Sequence, residues 1–208
     1  MLTTMAATGL ALSMITSGVS APASPPPSSP ITVDVVTVNG SGCPAGTAAV
    51  AVARDNTAFT VTYSNYLAQV GPQSSPTDIR KNCQLALRIH VPQGFTYAIA
   101  EADYRGFAAL SSGATGMEQA NYYFQGTAPT ARVPHKFSGP FQDDWETVDA
   151  TDVASLVFAP CGVDRLLNVN TELRVAAGSS DPASTSFMEM DSTDGSIHST
   201  YHFEWKQC

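Results

Sequence analysis

The chain has 208 residues, a formal net charge of −8, 43% hydrophobic residues and only 13% charged ones. An acidic excess of this size repels a phosphate backbone, so nucleic acid is not an expected partner. With the first thirty or so residues set aside as export and linker sequence, roughly 180 remain, enough for one domain with its own core and too few for two.

Residues 1–21, MLTTMAATGLALSMITSGVSA, are apolar and free of charged side chains. The apolar part is short for a bilayer span and is interrupted by Ser, Thr and Gly, which fits a secretory signal peptide. Val19, Ala21 and Ala23 supply a cleavage region, although the usual cationic start is missing. No later segment could span a membrane, so no membrane contact is expected once the signal is removed. Residues 22–30, rich in Pro and Ser, read as an extended linker. Residues 31–208 read as a single secreted domain.

From Ile31 to Val38 the apolar positions alternate and then change phase, as in a first strand. Asn39-Gly40-Ser41 is a glycosylation sequon, meaningful in a eukaryotic host. Ala48 to Ala53 and Ala58 to Tyr63 read as a hairpin across Arg54-Asp55-Asn56-Thr57. Residues 65–81 are rich in turn formers and read as a long loop. The run Asn82 to Leu110 then looks like the centre of the fold. Cys83, Leu85, Leu87, Ile89 and Val91 alternate with Gln84, Ala86, Arg88 and His90, the period of a strand with one buried face. Pro92-Gln93-Gly94 makes a turn, and the return through Phe95, Tyr97 and Ile99 is apolar on both sides or carries a bulge that switches faces. These two runs are expected to form a central hairpin.

Glu118 to Gln125 gives a further strand. Residues 127–144 carry three prolines and read as a connection, with a short edge strand near Lys136-Phe137. An apolar segment lies within 152–159, and Leu166 to Ala176 alternates well. Phe187 to Met190 and Ile197 to Trp205 read as a closing pair joined through Asp191-Ser192-Thr193-Asp194-Gly195. No useful length of chain has an apolar stripe at helical spacing. The expected architecture is an all-β antiparallel sandwich of about eight to ten strands.

The four cysteines, Cys43, Cys83, Cys161 and Cys208, form no C-x-x-C pair, which removes the usual zinc and thioredoxin spacings. Behind an export signal they read as two disulfides. Three pairings are open to the sequence. Cys43–Cys83 with Cys161–Cys208 is favoured, because it ties down the extreme C-terminus and makes two nested halves.

No residue pattern carries a catalytic signature, and no cofactor or metal is expected. His198 and His202 are four apart, but on a strand they share a face about 13 Å from one another and cannot hold one ion unaided. Asp191 and Asp194 resemble an oxygen-rich loop yet lack calcium-loop spacing, so a turn is the simpler reading. Asp143, Asp144 and Glu146 flank Trp145; paired acids beside a ring are what sugar cleavage uses, but a solvated acidic loop explains them as well. Tyr104, Tyr122, Tyr123 and Trp205 could stack on sugars only if exposed. Arg105 shares strand parity with Glu101 and Asp103, and an ion pair there competes with ligand recognition.

The Gly42-Cys43-Pro44 turn, Arg80-Lys81-Asn82-Cys83-Gln84-Leu85, Tyr104-Arg105-Gly106 and the stretch Asp191 to Gly195 ahead of a terminal cysteine together resemble the secreted family known as domain of unknown function 4360, found in fungi and in bacteria such as actinomycetes. The resemblance spans nearly all of the mature chain. It implies a small exported protein and brings no catalytic residues with it. The function expected is therefore that of a non-catalytic extracellular binding module for a cell-wall polysaccharide or a protein. A polysaccharide-active enzyme using the acidic loop, or a structural protein of the cell or spore surface, are the alternatives. Within this reading Arg105, Tyr104, Asp191, Asp194 and Trp145 are the candidate binding residues.

Overall fold

A computed structural model describes residues 24–130, 132–152, 155–190 and 198–208. These residues form twelve strands: Thr32–Asn39 (β1), Ala48–Val52 (β2), Ala58–Tyr63 (β3), Leu67–Val70 (β4), Arg80–His90 (β5), Phe95–Leu110 (β6), Thr115–Phe124 (β7), His135–Ser138 (β8), Phe141–Ala150 (β9), Leu167–Ala176 (β10), Ser186–Met190 (β11) and Ser199–Gln207 (β12). Among the described residues there is no α-helix.

Two antiparallel sheets result. One has five strands in the order β1-β5-β10-β7-β8. The other has seven, β2-β3-β12-β6-β11-β4, with β9 on the second edge of β6. Their inner faces meet in one apolar core. Leu85, Leu87, Val169, Leu173 and Phe124 come from the first sheet, and Phe59, Val61, Tyr97, Tyr201 and Phe203 from the second. Tyr97 and Phe124 meet edge-on across the two sheets, ring centroids 5.3 Å apart, while Phe59 stacks on Tyr201 at 4.9 Å.

The expected all-β sandwich is found, with more strands than the eight to ten expected and two connections that differ. β5 and β6 are not a hairpin: they lie in opposite sheets, and the Pro92-Gln93-Gly94 turn carries the chain across the sandwich. Likewise β11 and β12 both pair with β6 rather than with each other. Two strands were not expected from sequence, β4 because it is only four residues long and β9 because its inner face is partly polar. β4 lies inside the expected long loop, and β9 occupies the end of the expected connection. β9 alternates, but its inner face carries Asp143, Thr147 and Asp149 as well as Trp145, so no apolar period shows. The Pro/Ser-rich segment is also anchored rather than free: Pro27 is buried, and Asn56 Nδ2 donates to the carbonyls of Pro27 and Ser29.

Cys43 is bonded to Cys83 and Cys161 to Cys208, with Cα separations of 5.3 and 5.8 Å. The first bond joins the β1–β2 connection to β5. The second fastens the loop before β10 to the chain end. In the chain-entropy account each closure of this size is worth about 4 kcal/mol.

Candidate functional site

The inner faces dictate what the outer faces carry. In β5, burial of Cys83 and Leu85 turns Asn82 and Gln84 outward. In β10, burial of Val169, Thr171 and Leu173 does the same for Asn168, Asn170 and Glu172. In β7 the outward residues are Gln119, Asn121 and Tyr123. Strand register then aligns them. Asn39 of β1 pairs with Gln84 of β5, Gln84 with Asn170 of β10, and Asn170 with Asn121 of β7. A single row of four carboxamides therefore crosses four strands, about 14 Å at the usual strand spacing, with Asn121 at its β7 end buried and the other three open to solvent. The next row is Asn82, Glu172 and Gln119, and on the other side Asn168 pairs with Tyr123.

Each carboxamide offers two N–H donors and an accepting oxygen. Asn121 accepts from Arg132 Nε at 3.2 Å, Asn82 from Ser41 Oγ at 3.2 Å, and Gln119 donates to Glu172 at 3.2 Å. The side chains of Gln84, Asn168 and Asn170 have no hydrogen-bond partner among the described residues and are presented to solvent. Tyr123, half-buried beside Asn168, is the one aromatic of the four sequence candidates that lies on this face. Tyr104 and Trp205 are in the core, and Tyr122 points inward to Thr151 at 3.0 Å.

Charge gathers at one side of the row. Glu172, with only 4% of its side chain exposed, binds Arg80 and Arg174, and Arg132 approaches to 4.0 Å. Burial by itself would raise the Glu172 carboxyl, but hydrogen bonds from Arg80 and Arg174 and the charges of both outweigh it and hold it below the usual carboxylate range. Three guanidiniums around one carboxylate leave this patch cationic, in a protein whose net charge is −8. A depression of about 70 Å³ between Arg80, Gln84, Asn170 and Glu172 is too small to enclose a sugar ring, so a ligand here lies across the face.

The other residues singled out from sequence do not join this face. Tyr104 is fully buried and Trp145 nearly so. Trp145 packs its ring against Phe137 at 5.6 Å, and neither residue can meet a ligand from solvent. Arg105 lies on the outer face of the seven-stranded sheet. Its partner is Glu146 on β9 at 2.8 Å, not Glu101 or Asp103 on its own strand. β9 sends Asp144 and Glu146 outward and Asp143 to the opposite side, so the three acids do not converge as a sugar-cleaving pair would. Asp191 and Asp194 fall outside the described residues.

Sequence reasoning saw each alternation but not the row, because cross-strand register is not written in any one strand. It also missed a cleft of about 770 Å³ at one end of the sandwich. There Val91, Pro92, Phe95 and Val163 face His90 and Arg165, beside the Cys161–Cys208 bond. Both turns that bound it are legible; only the bond between the Cys208 N–H and the Gly94 carbonyl, 2.9 Å, shows that they meet. Two polar groups on its wall are already paired, His90 with Asp34 at 2.8 Å and Asp164 with Arg88 at 3.1 Å.

Fold and disulfides define a disulfide-stapled extracellular β-sandwich. The chain belongs to the family described as domain of unknown function 4360, which it matches over residues 29–208. It is 35% identical over 173 residues to an uncharacterized secreted protein of the fungus Arthroderma benhamiae, covering 83% of this chain and 70% of that one. The protein is secreted, as that relative is described, and its two disulfides fit an oxidising compartment. Among solved structures it is similar to the enzymatically active domain of tailspike protein 4 from bacteriophage CBA120, with 13% identity and a TM-score of 0.25. The match covers 86% of this chain and 19% of the tailspike chain.

Proposed function

We propose that the protein is a non-catalytic extracellular binding module for polysaccharide, exported by the signal in residues 1–21, and that the outer face of its five-stranded sheet is the binding surface. The observation that carries this reading is the aligned row Asn39, Gln84, Asn170 and Asn121. Sugar hydroxyls both donate and accept, and carboxamides match them in both senses. The exposed part of the row, Asn39, Gln84 and Asn170, is about 10 Å long and suits an extended chain of sugars better than a single small molecule. Tyr123 supplies an apolar ring at the side of the row, and Arg80, Arg132 and Arg174 give a cationic border that favours chains bearing carboxylates.

Retention on insoluble chitin, cellulose and peptidoglycan tests the reading. The wild-type protein is expected to bind at least one of them. The double variant Gln84→Ala/Asn170→Ala should lose at least about tenfold in affinity, the equivalent of two lost net hydrogen bonds. Its melting temperature should change little, since neither side chain has a partner among the described residues. Failure of the wild-type protein to bind any of the three, or equal retention of the variant, would contradict the proposal.

A further inference from the structure

The seven-stranded sheet carries a different constellation on its own outer face, and its chemistry does not depend on the polysaccharide reading. β6 and β12 are in register at His202 with Glu101, and at Phe203 with Ile99, so Ala100 is the extra residue of a bulge. The bulge has a consequence for side chains. Tyr97 and Ile99 point into the core before it, and Ala102 and Tyr104 point in after it. Glu101 and Asp103 are thereby turned to the outer face, beside His202 of the neighbouring strand. Bulges that re-aim side chains in this way are over-represented at functional sites.

The donor atoms of Glu101, Asp103 and His202 all lie within 4.8 Å of one another. His202 Nε2 is 2.9 Å from Asp103 Oδ2, with the two side chains 39% and 15% exposed. Donors around an ion with bonds of about 2.0–2.2 Å sit roughly 3 to 3.5 Å apart, so this pair already has the spacing of neighbouring ligands. Glu101 has no hydrogen-bond or ion-pair partner among the described residues. The facing residues of β9, Ala150 and Val148, offer it and Asp103 nothing polar. Two carboxylates of one strand that converge rather than diverge are in mutual repulsion, and a cation between them removes it. Arg105, the nearest arginine in sequence, is already committed to Glu146.

We infer that Glu101, Asp103 and His202 form a binding site for one divalent first-row transition ion, of which Zn²⁺ is the test case. One imidazole and two carboxylates suit such an ion, whereas the imidazole argues against calcium or magnesium. Three protein donors on a solvent-facing sheet leave at least one coordination position open to water or to an external ligand. His198, four residues from His202 on the same side of the chain, is about 13 Å away by strand rise and lies outside the set.

Calorimetric titration of the purified, disulfide-intact protein with zinc chloride, after EDTA treatment and dialysis, tests the site. One equivalent of Zn²⁺ is expected. His202→Gln and Asp103→Asn should each weaken binding by at least about tenfold, while His198→Gln and Glu189→Gln leave it within twofold. Zinc should also raise the melting temperature of the wild-type protein but not of His202→Gln. Melting in EDTA confirms that the variants fold. Should His202→Gln fail to do so, Glu101→Gln supplies the same reading, because no described partner is lost with it. Absence of saturable uptake, uptake that survives His202→Gln or Glu101→Gln, or a loss equal to theirs in His198→Gln, would overturn the inference.

Discussion

Glu118 is a carboxyl placed where water does not reach. It lies on the inner face of β7, fully buried, with Thr147 Oγ1 donating to one oxygen at 3.1 Å and Asp149 nearby, itself paired to His135 at 2.8 Å. Burial first, and the Asp149 charge second, push its carboxyl up to about 8 from an ordinary value of 4.5, against the Thr147 hydrogen bond. The folded state therefore holds a proton that the unfolded chain releases between about pH 4.5 and 8. Stability from this group is complete below that window and declines as pH rises through it. Glu118→Gln keeps the shape and removes the titration. Thermal melts at pH 5, 6, 7 and 8 should show the wild-type protein losing stability relative to this variant, on the order of 2–3 kcal/mol by pH 7. Parallel profiles would show that Glu118 is ionised in the fold.

The Tyr104-Arg105-Gly106 motif shows what residue patterns alone leave open. Strand parity correctly separates Arg105 from its neighbours, but the sequence does not say that Arg105 reaches across to Glu146. Nor does it say that Tyr104 is fully buried. Both depend on which strand flanks β6.

Among the elements, β6 sets the arrangement of the seven-stranded sheet: sixteen residues long, it pairs with β12 along its first part, β11 near its end and β9 along its other edge. Such an arrangement leaves no room at Gly106. A Cβ there would collide with the Glu189 carbonyl oxygen and lie 2.5 Å from the Trp145 ring. Gly106→Ala is expected to destabilise the protein by about 1–3 kcal/mol, read as a lowered denaturant midpoint with an unchanged slope. A neutral effect would mean that β9 and its tryptophan do not pack as described. Strands such as β3, β5, β10 and β12 were legible in sequence because most of their inner positions are apolar, and β7 was legible from Ala120, Tyr122 and Phe124 despite the inward Glu118. β9 was not, because its inner face meets Glu118 and His135 and is partly polar for that reason. The apparent β5–β6 hairpin misled for a related reason: a tight turn fits a hairpin and a crossing between sheets equally well, and only the pairing partners distinguish them.

At the scale of the molecule, two cross-linked sheets present two outer faces of different chemistry. The five-stranded sheet shows carboxamides and a cationic border. The seven-stranded sheet shows carboxylates with one imidazole among them. The seven-stranded sheet also carries an apolar pair where Phe107 meets Phe187, ring centroids 6.0 Å apart, and the Asp164 carboxylate of the end cleft is paired with Arg88. Sequence made the compartment, the sandwich and each strand's outward residues readable. It did not make readable their alignment into rows, which is a property of the assembled sheet and is what the proposed function rests on.

The most direct measurement is a nuclear magnetic resonance titration of the ¹⁵N-labelled protein with soluble oligosaccharides of chitin, cellulose and peptidoglycan. The account predicts that the side-chain amide signals of Gln84, Asn168 and Asn170 shift together and saturate with at least one of them. Shifts confined to Gln93 and Arg165 at the end cleft, or no shifts with any of the three, would contradict it.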